Sequence, residues 1–364
     1  MVRIDTSFVH ARPFLAPQTA RVTLALCGLG GTGSWLAPHV VRIARALEEA
    51  GRQVEVLFID PDVVEERNLT RQNFCQAEVG MQKAATLALR YGAAWQCVVE
   101  AVCAPFDEAL ISRSGDRVCV LIGAVDNAAA RRSLNAILRR NSERAGTRPP
   151  LYLYLDLGNA RESGQCLLGT ASTVEDLRDA FATPGICRAL PAPLLQDPSL
   201  SQARPEEAEA AFTHKEQGGG VLAPGTTDTQ DTQDAHETQG GHLRRSRRSA
   251  RPVQATQEVR EVDDLVGAAG TRTAVGLSCA ELLQANLQSP AINPLMATIG
   301  AEYLWSLLLT GGVRRFATYL SLSPGVMASS WTTPEQVARA VAVAPTFFPH
   351  MTTFPAARPA RQRP

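Results

Sequence analysis

Lysine is almost missing from this chain: only Lys83 and Lys215 are lysine, and the other 34 of its 36 cationic side chains are arginine. A composition so tilted makes each lysine informative. Aromatic residues are sparse at 5%, and net charge is absent, with 36 cationic against 36 acidic residues. No stretch reaches the ~18 apolar residues that a membrane-spanning helix needs. Arg3, Asp5, His10 and Arg12 break up any signal-peptide core in the first residues, so the expected location is the cytoplasm, with no membrane association. The eight cysteines (27, 75, 97, 103, 119, 166, 187 and 279) include no CxxC pair, which argues against a Cys-rich zinc site. In a reducing compartment most of them are expected to be small core residues. What remains is a 364-residue, 45% hydrophobic chain that can bury a sizeable core. Its length suits either two domains or one large α/β unit carrying an insertion.

The first 170 residues alternate strand-like and helix-like segments, the pattern of a parallel, doubly wound sheet. Apolar, β-rich runs fall at 22–27, 54–59, 97–102, 118–122 and 151–155, and their near-continuous apolar character implies cover on both faces. Helical spacing fills 34–50, 79–91, 105–112 and 127–140. From His214 to Glu261 the chain is dominated by Gly, Thr, Gln, Asp and Arg, a composition expected to form a disordered insertion. Structure is expected to return at 278–288, in a long helix over about 294–309 ended by Gly311-Gly312, and in a strand over 313–320. Thr333-Pro334-Glu335-Gln336 is a capping box that announces a last helix, with a loose tail beyond Pro345.

Gly28-Leu29-Gly30-Gly31-Thr32-Gly33 follows the first strand and opens the first long helix. Gly28, Gly30, Gly31 and Gly33 would let backbone approach phosphate at a helix N-terminus, where amide hydrogens and the dipole favour negative charge. Alone the pattern says only nucleotide or dinucleotide, or a tight turn. Asp60 ends the second strand, where a carboxylate can accept hydrogen bonds from ribose hydroxyls. Asn68, Arg71 and Lys83 follow it, and two cations with an amide suit a triphosphate.

The runs Asp60 to Gln72, Gly80-Met81-Gln82-Lys83 and Asp126-Asn127-Ala128-Ala129-Ala130-Arg131-Arg132-Ser133-Leu134-Asn135, in that order after the glycine turn, resemble the ThiF/MoeB/ubiquitin-activating superfamily. The resemblance covers about residues 20–170, with a returning segment near 279–320, and looks most like the ThiF-type member of the PRTRC cassette. It implies an α/β, Rossmann-like, doubly wound and mostly parallel sheet of the adenylating type. It also implies a homodimer that uses Mg-ATP to adenylate a C-terminal carboxylate, in particular that of a small ubiquitin-like protein, with PRTRC cassette proteins as further partners. Under it Asp60 would hold the ribose, Asn68, Arg71 and Lys83 would contact the phosphates, and Asp126 would bind Mg²⁺. The organisation it suggests is an adenylation core over 1–200, a low-complexity insertion over 201–270, a returning part of the same fold over 271–331, and a C-terminal helix and tail over 332–364.

Each of these residues also has a plain structural role open to it. Asp126-Asn127 could be an ordinary helix cap. Arg71 could be solvated, Lys83 could sit on the outer face of its helix, and Asn68 could cap a turn. Arg131 reads as a structural partner for a carboxylate, and Asp62 and Arg67 as structural. For the thiol that would receive an activated acyl group, Cys279 at an expected helix start is placed ahead of Cys187, which adjoins Arg188. Both could equally be buried. The family arginine that reaches into the partner protomer has Arg12 as its candidate here. Structural zinc is not expected. Arg244, Arg245, Arg247, Arg248 and Arg251 in the insertion give only a weak signal for nucleic acid, since no aromatics are interleaved. Rival readings are adenylation of a small molecule or a modified tRNA base, and an inactive nucleotide-binding scaffold of a DNA-partition assembly. Nothing in the sequence suggests a hydride-transfer site.

Overall fold

Strand β1 (Arg21–Cys27) is buried from its second residue onward because it lies inside a sheet covered on both faces. The structure is a computed structural model that describes residues 6–144, 149–202 and 288–348. After β1 come β2 (Gln53–Ile59), β3 (Val99–Val102), β4 (Arg117–Gly123), β5 (Tyr152–Asn159), β6 (Ser163–Gly169), β7 (Arg315–Ser321) and β8 (Val326–Trp331). They form one mostly parallel eight-stranded sheet in the order β3-β2-β1-β4-β5-β6-β7-β8. The run from β3 to β5 is parallel, and β6, β7 and β8 add on antiparallel. This is the α/β, Rossmann-like class expected from the alternating segments.

Side chains alternate across the sheet with the strand period of two. Val22, Leu24, Leu26, Val56, Phe58, Val120 and Leu155 enter one core, and Ala25, Leu57, Leu121, Tyr152 and Tyr154 enter the other. Among the helices, α1 (Ser7–His10) is one turn, and α2 (Gly31–Glu49) and α3 (Lys83–Trp95) cover the first face. On the second face lie α4 (Ala128–Ala136), with Leu134 in that core, and the single turns α5 (Arg139–Ser142) and α6 (Pro193–Gln196). Helix α7 (Ile292–Leu308) returns to the first face and packs on α2, β5 and β6. Gly300 permits that approach, since a Cβ there would lie 2.8 Å from a Leu157 methyl. Helix α8 (Pro334–Ala340) begins where the capping box places it, with the Thr333 hydroxyl accepting from the Gln336 N–H at 3.3 Å.

Four expectations change. The helix expected at 105–112 is a single 3-10 turn, Glu108–Leu110, capped by the Asp107 carboxylate. The helix expected from residue 79 starts at Lys83, because Gly80 has φ +87° and interrupts the turn before it. Strands β6 and β8 were not expected from the apolar runs. The first residues of the expected loose tail, 346–348, are packed, with Phe348 buried and meeting the Phe181 ring edge-on at 5.1 Å, and the rest of the tail lies outside the described residues. The expected insertion at 214–261 and the segment at 278–287 lie outside the described residues. Among the described residues no helix is long and apolar enough to cross a membrane.

Candidate functional site

Strand order reverses direction between β1 and β4, and a crevice opens at the carboxyl ends of the strands there. It is a cavity of about 520 Å³ whose lining includes Gly28, Asp60, Asn68, Arg71, Lys83 and Asp126. The turn after β1 is built by glycines for distinct reasons. Gly28 has φ +83°, and a Cβ there would lie 2.7 Å from the Ala124 carbonyl oxygen. A Cβ on Gly33 would fall on the Gly28 carbonyl, so only glycine lets α2 start this close to the strand. Gly33→Ala is therefore expected to destabilise the protein by about 1–3 kcal/mol, read as a lower thermal midpoint. An unchanged midpoint would show that the turn can relax. Gly30 precedes α2, whose first residues Gly31 and Thr32 line the crevice, and the first N–H groups of a helix have no intrahelical partners.

Asp60 is 4% exposed and accepts from the Leu29 N–H at 2.5 Å and the Asp62 N–H at 2.8 Å, one bond to each carboxylate oxygen. Burial pushes its pKa upward, while those two N–H groups and the nearby Lys83 charge hold the ionised form. The second lone pair on each oxygen suits hydroxyl donors. Lys83 is on the inner side of α3, buried, with Nζ 2.9 Å from Asp62 Oδ2. The Asn68 side-chain oxygen accepts from the Glu65 N–H at 2.9 Å, closing a reciprocal cap on its turn while the residue also lines the cavity. Arg71 is held by its carbonyl, which accepts from Trp35 Nε1 at 2.9 Å. Asp126 is exposed to the cavity and does not cap α4. That cap is Asn127, whose Oδ1 accepts from the Ala130 N–H at 2.8 Å.

The donors present fit Mg-ATP: a helix N-terminus and two cations toward phosphate, and an exposed carboxylate among them, the hard-oxygen donor that magnesium takes together with phosphate oxygens. Among the described residues no cluster of three or more His, Cys, Asp or Glu could hold a metal by protein ligands alone.

Other residues complete the site, Arg131 from the run after Asp126 and the rest from outside the quoted motifs. Arg131 is 5% exposed, pairs through Nε with Asp156 at 3.2 Å, and borders both this cavity and a second one of about 470 Å³. Asp156 is fully buried and also accepts from the Tyr154 hydroxyl at 2.7 Å. Asn293 on α7 meets Thr32 and Asn159 at the glycine end.

The thiols separate differently. Cys187 is 2% exposed, lies outside the cavity lining, bonds the Ala189 carbonyl at 3.2 Å, and has its pKa pushed up to about 12 by burial. Arg188 does not reverse this. A thiol so placed is a core residue. Cys279 lies outside the described residues. Arg12 is engaged within its own chain, with Nη1 donating to the Phe181 carbonyl at 3.1 Å and the guanidinium stacked on that ring at 5.5 Å.

Residues 17–145 match the ThiF family. No curated protein matches the chain. Among solved structures the protein is similar to PaaA, at 14% identity over 86% of this chain and 74% of that one, with a TM-score of 0.42. It is also similar to E. coli MccB, at 11% identity over 86% of this chain with a TM-score of 0.41, and to MccB crystallised with ATP, at 11% identity over 86% of this chain with a TM-score of 0.40. The match spans 64% of the MccB chain in both cases, less than two-thirds of its length. The glycine turn, Asp60, Asn68, Arg71, Lys83 and Asp126 thus all lie within the stretch that matches the ThiF family.

Proposed function

We propose that this protein is an ATP-dependent adenylyltransferase that activates a C-terminal carboxylate, that of a small ubiquitin-like protein, and releases pyrophosphate. The observation that carries the reading is the meeting of Asp60, Asn68, Arg71, Lys83 and Asp126 around one glycine turn in one cavity. Asp60 takes the ribose hydroxyls, and Asn68 and the α2 N-terminus take phosphate oxygens. A carboxylate oxygen of the substrate bonds to the α-phosphorus, the bond from that phosphorus to the pyrophosphate oxygen breaks, and pyrophosphate leaves with the negative charge. Two anions must be brought together in line, so positive charge and positioning supply the catalysis. Arg71 provides a fixed fork of donors and Lys83 a point charge once its Asp62 contact is exchanged for phosphate. Asp126 would hold Mg²⁺, which supplies further charge neutralisation to the phosphates.

The second cavity shares Arg131, Gly158 and Asn159 with the first, which gives a protein tail a route to the α-phosphate. With Cys187 in the core, Cys279 is the proposed carrier for any covalent second step. A homodimer, the four-part organisation of the chain and a place in the PRTRC cassette belong to the same proposal.

The test is calorimetry with Mg-ATP and with NAD, followed by ATP–pyrophosphate exchange in the presence of ubiquitin-like products of neighbouring genes. Mg-ATP should bind and NAD should not, because two cations and an amide beyond Asp60 fit a triphosphate better than a pyrophosphate bridge. Exchange should require the free C-terminal carboxylate. Tight NAD binding with no ATP binding would overturn the reading.

A further inference from the structure

The match to the ThiF family ends at residue 145, yet one side chain at the phosphate end of the cavity comes from far beyond it. Asn293 sits in the first turn of α7 and is 1% exposed. A buried carboxamide is costly unless its donors and acceptor are used. Its Oδ1 accepts from the Thr32 hydroxyl at 3.3 Å and from Asn159 Nδ2, and Asn159 Nδ2 reaches the same hydroxyl at 2.9 Å. Its Nδ2 donates to the Arg71 carbonyl at 3.5 Å, the carbonyl that also accepts from Trp35 of α2. The amide therefore joins the first turn of α2, the end of β5 and the backbone of Arg71. Glycine at position 31 makes room for it, since a Cβ there would lie 2.5 Å from Asn293 Oδ1.

These contacts share a direction. Thr32 belongs to the helix N-terminus that would meet phosphate, and Arg71 is the cation that would meet it from the other side. A shift of either by an ångström misaligns charge-assisted bonds that depend on geometry. Asp60, at the ribose end, is held by the Leu29 and Asp62 N–H groups instead.

We infer that Asn293 is a positioning residue for the triphosphate: it holds the α2 N-terminus and the Arg71 backbone in one arrangement, so that phosphate affinity, and not nucleoside affinity, depends on it. The inference rests on the nucleotide reading above. The residue that sets the phosphate end lies 148 residues beyond the last one that matches the family, at position 293 against 145.

The experiment compares ATP and adenosine on the full chain with magnesium, by calorimetry for ATP and NMR titration for adenosine. Asn293→Ala should weaken ATP about tenfold, as expected for loss of a buried hydrogen-bonding group, and leave adenosine within about twofold. Asn293→Asp keeps the acceptor, loses the donor to Arg71 and places negative charge beside phosphate, so it should weaken ATP further than alanine does. Thr32→Val removes the hydroxyl from the opposite end of the network with no change of shape. It should reproduce the alanine pattern in weaker form, and it serves if the Asn293 variants do not fold. A purely structural amide predicts lower thermal midpoints with ATP and adenosine weakened by the same factor. That parallel loss, or unchanged ATP affinity in the folded variants, would overturn the inference while the nucleotide reading stands. A parent chain that binds no ATP overturns both.

Discussion

Asp126→Ala is expected to lower pyrophosphate exchange by about 10²-fold or more while the protein stays folded. Two observations make the expectation sharp. Asp126 is exposed and lines the same cavity as Arg71 and Lys83, so its carboxylate is accessible to a metal held by phosphates. It also plays no part in starting α4, because the side chain that accepts the helix N–H is that of Asn127. Sequence alone allowed the two neighbours to exchange roles. Asn127→Ala is the matching control: it should cost about 1 kcal/mol of stability through the lost cap and have far less effect on exchange. Exchange at the parent rate in the Asp126 variant would remove the residue from the chemistry.

Arg131→Leu is expected to cost about 3–5 kcal/mol in urea unfolding at neutral pH. The guanidinium is the only cation paired with Asp156 among the described residues, and the carboxylate has no exposure to water that could replace it. Burial pushes the Asp156 pKa upward, against the pull of Arg131 and the Tyr154 hydroxyl. Without Arg131 that upward push is unopposed by charge, so the folded state takes up a proton more readily than the unfolded chain, whose Asp titrates near ~3.9. The loss should therefore be smallest at acidic pH and grow as pH rises through the raised folded value. Arg131→Leu combined with Asp156→Asn should recover much of the stability, because the amide keeps an acceptor for Tyr154 and removes the buried charge. A loss below about 1 kcal/mol in the single variant would mean that Asp156 is neutral in the parent protein.

Where the chain announced its structure, it did so through periodicity and spacing. β1, β2, β4 and β5 were legible because strands buried on both faces must be apolar almost throughout. β6 starts with Ser163, Gly164 and Gln165, and β8 is an edge strand whose first residues are exposed. Neither needs a continuous apolar run, so neither produced the signal. The window at 105–112 had helical spacing without the length or tertiary cover to propagate a helix.

The residues that carry the proposed chemistry stood out for a related reason. Gly28, Gly33, Asp60 and Asp126 lie at fixed short distances from strand ends, and a strand end followed by a helix fixes where such side chains go. The sequence by itself thus determined the α/β class and singled out Gly28, Asp60, Asn68, Arg71, Lys83 and Asp126 as candidates within one continuous stretch. Only the tertiary structure decided that Asn127 rather than Asp126 caps its helix, that Cys187 is a core thiol, that Arg131 answers Asp156, and that Asn293 reaches Thr32 and Arg71. The cap is a local choice between neighbours, but each of the others depends on which groups from distant parts of the chain share a dry environment. Burial and pairing set the energy of polar side chains there, and no local spacing encodes them.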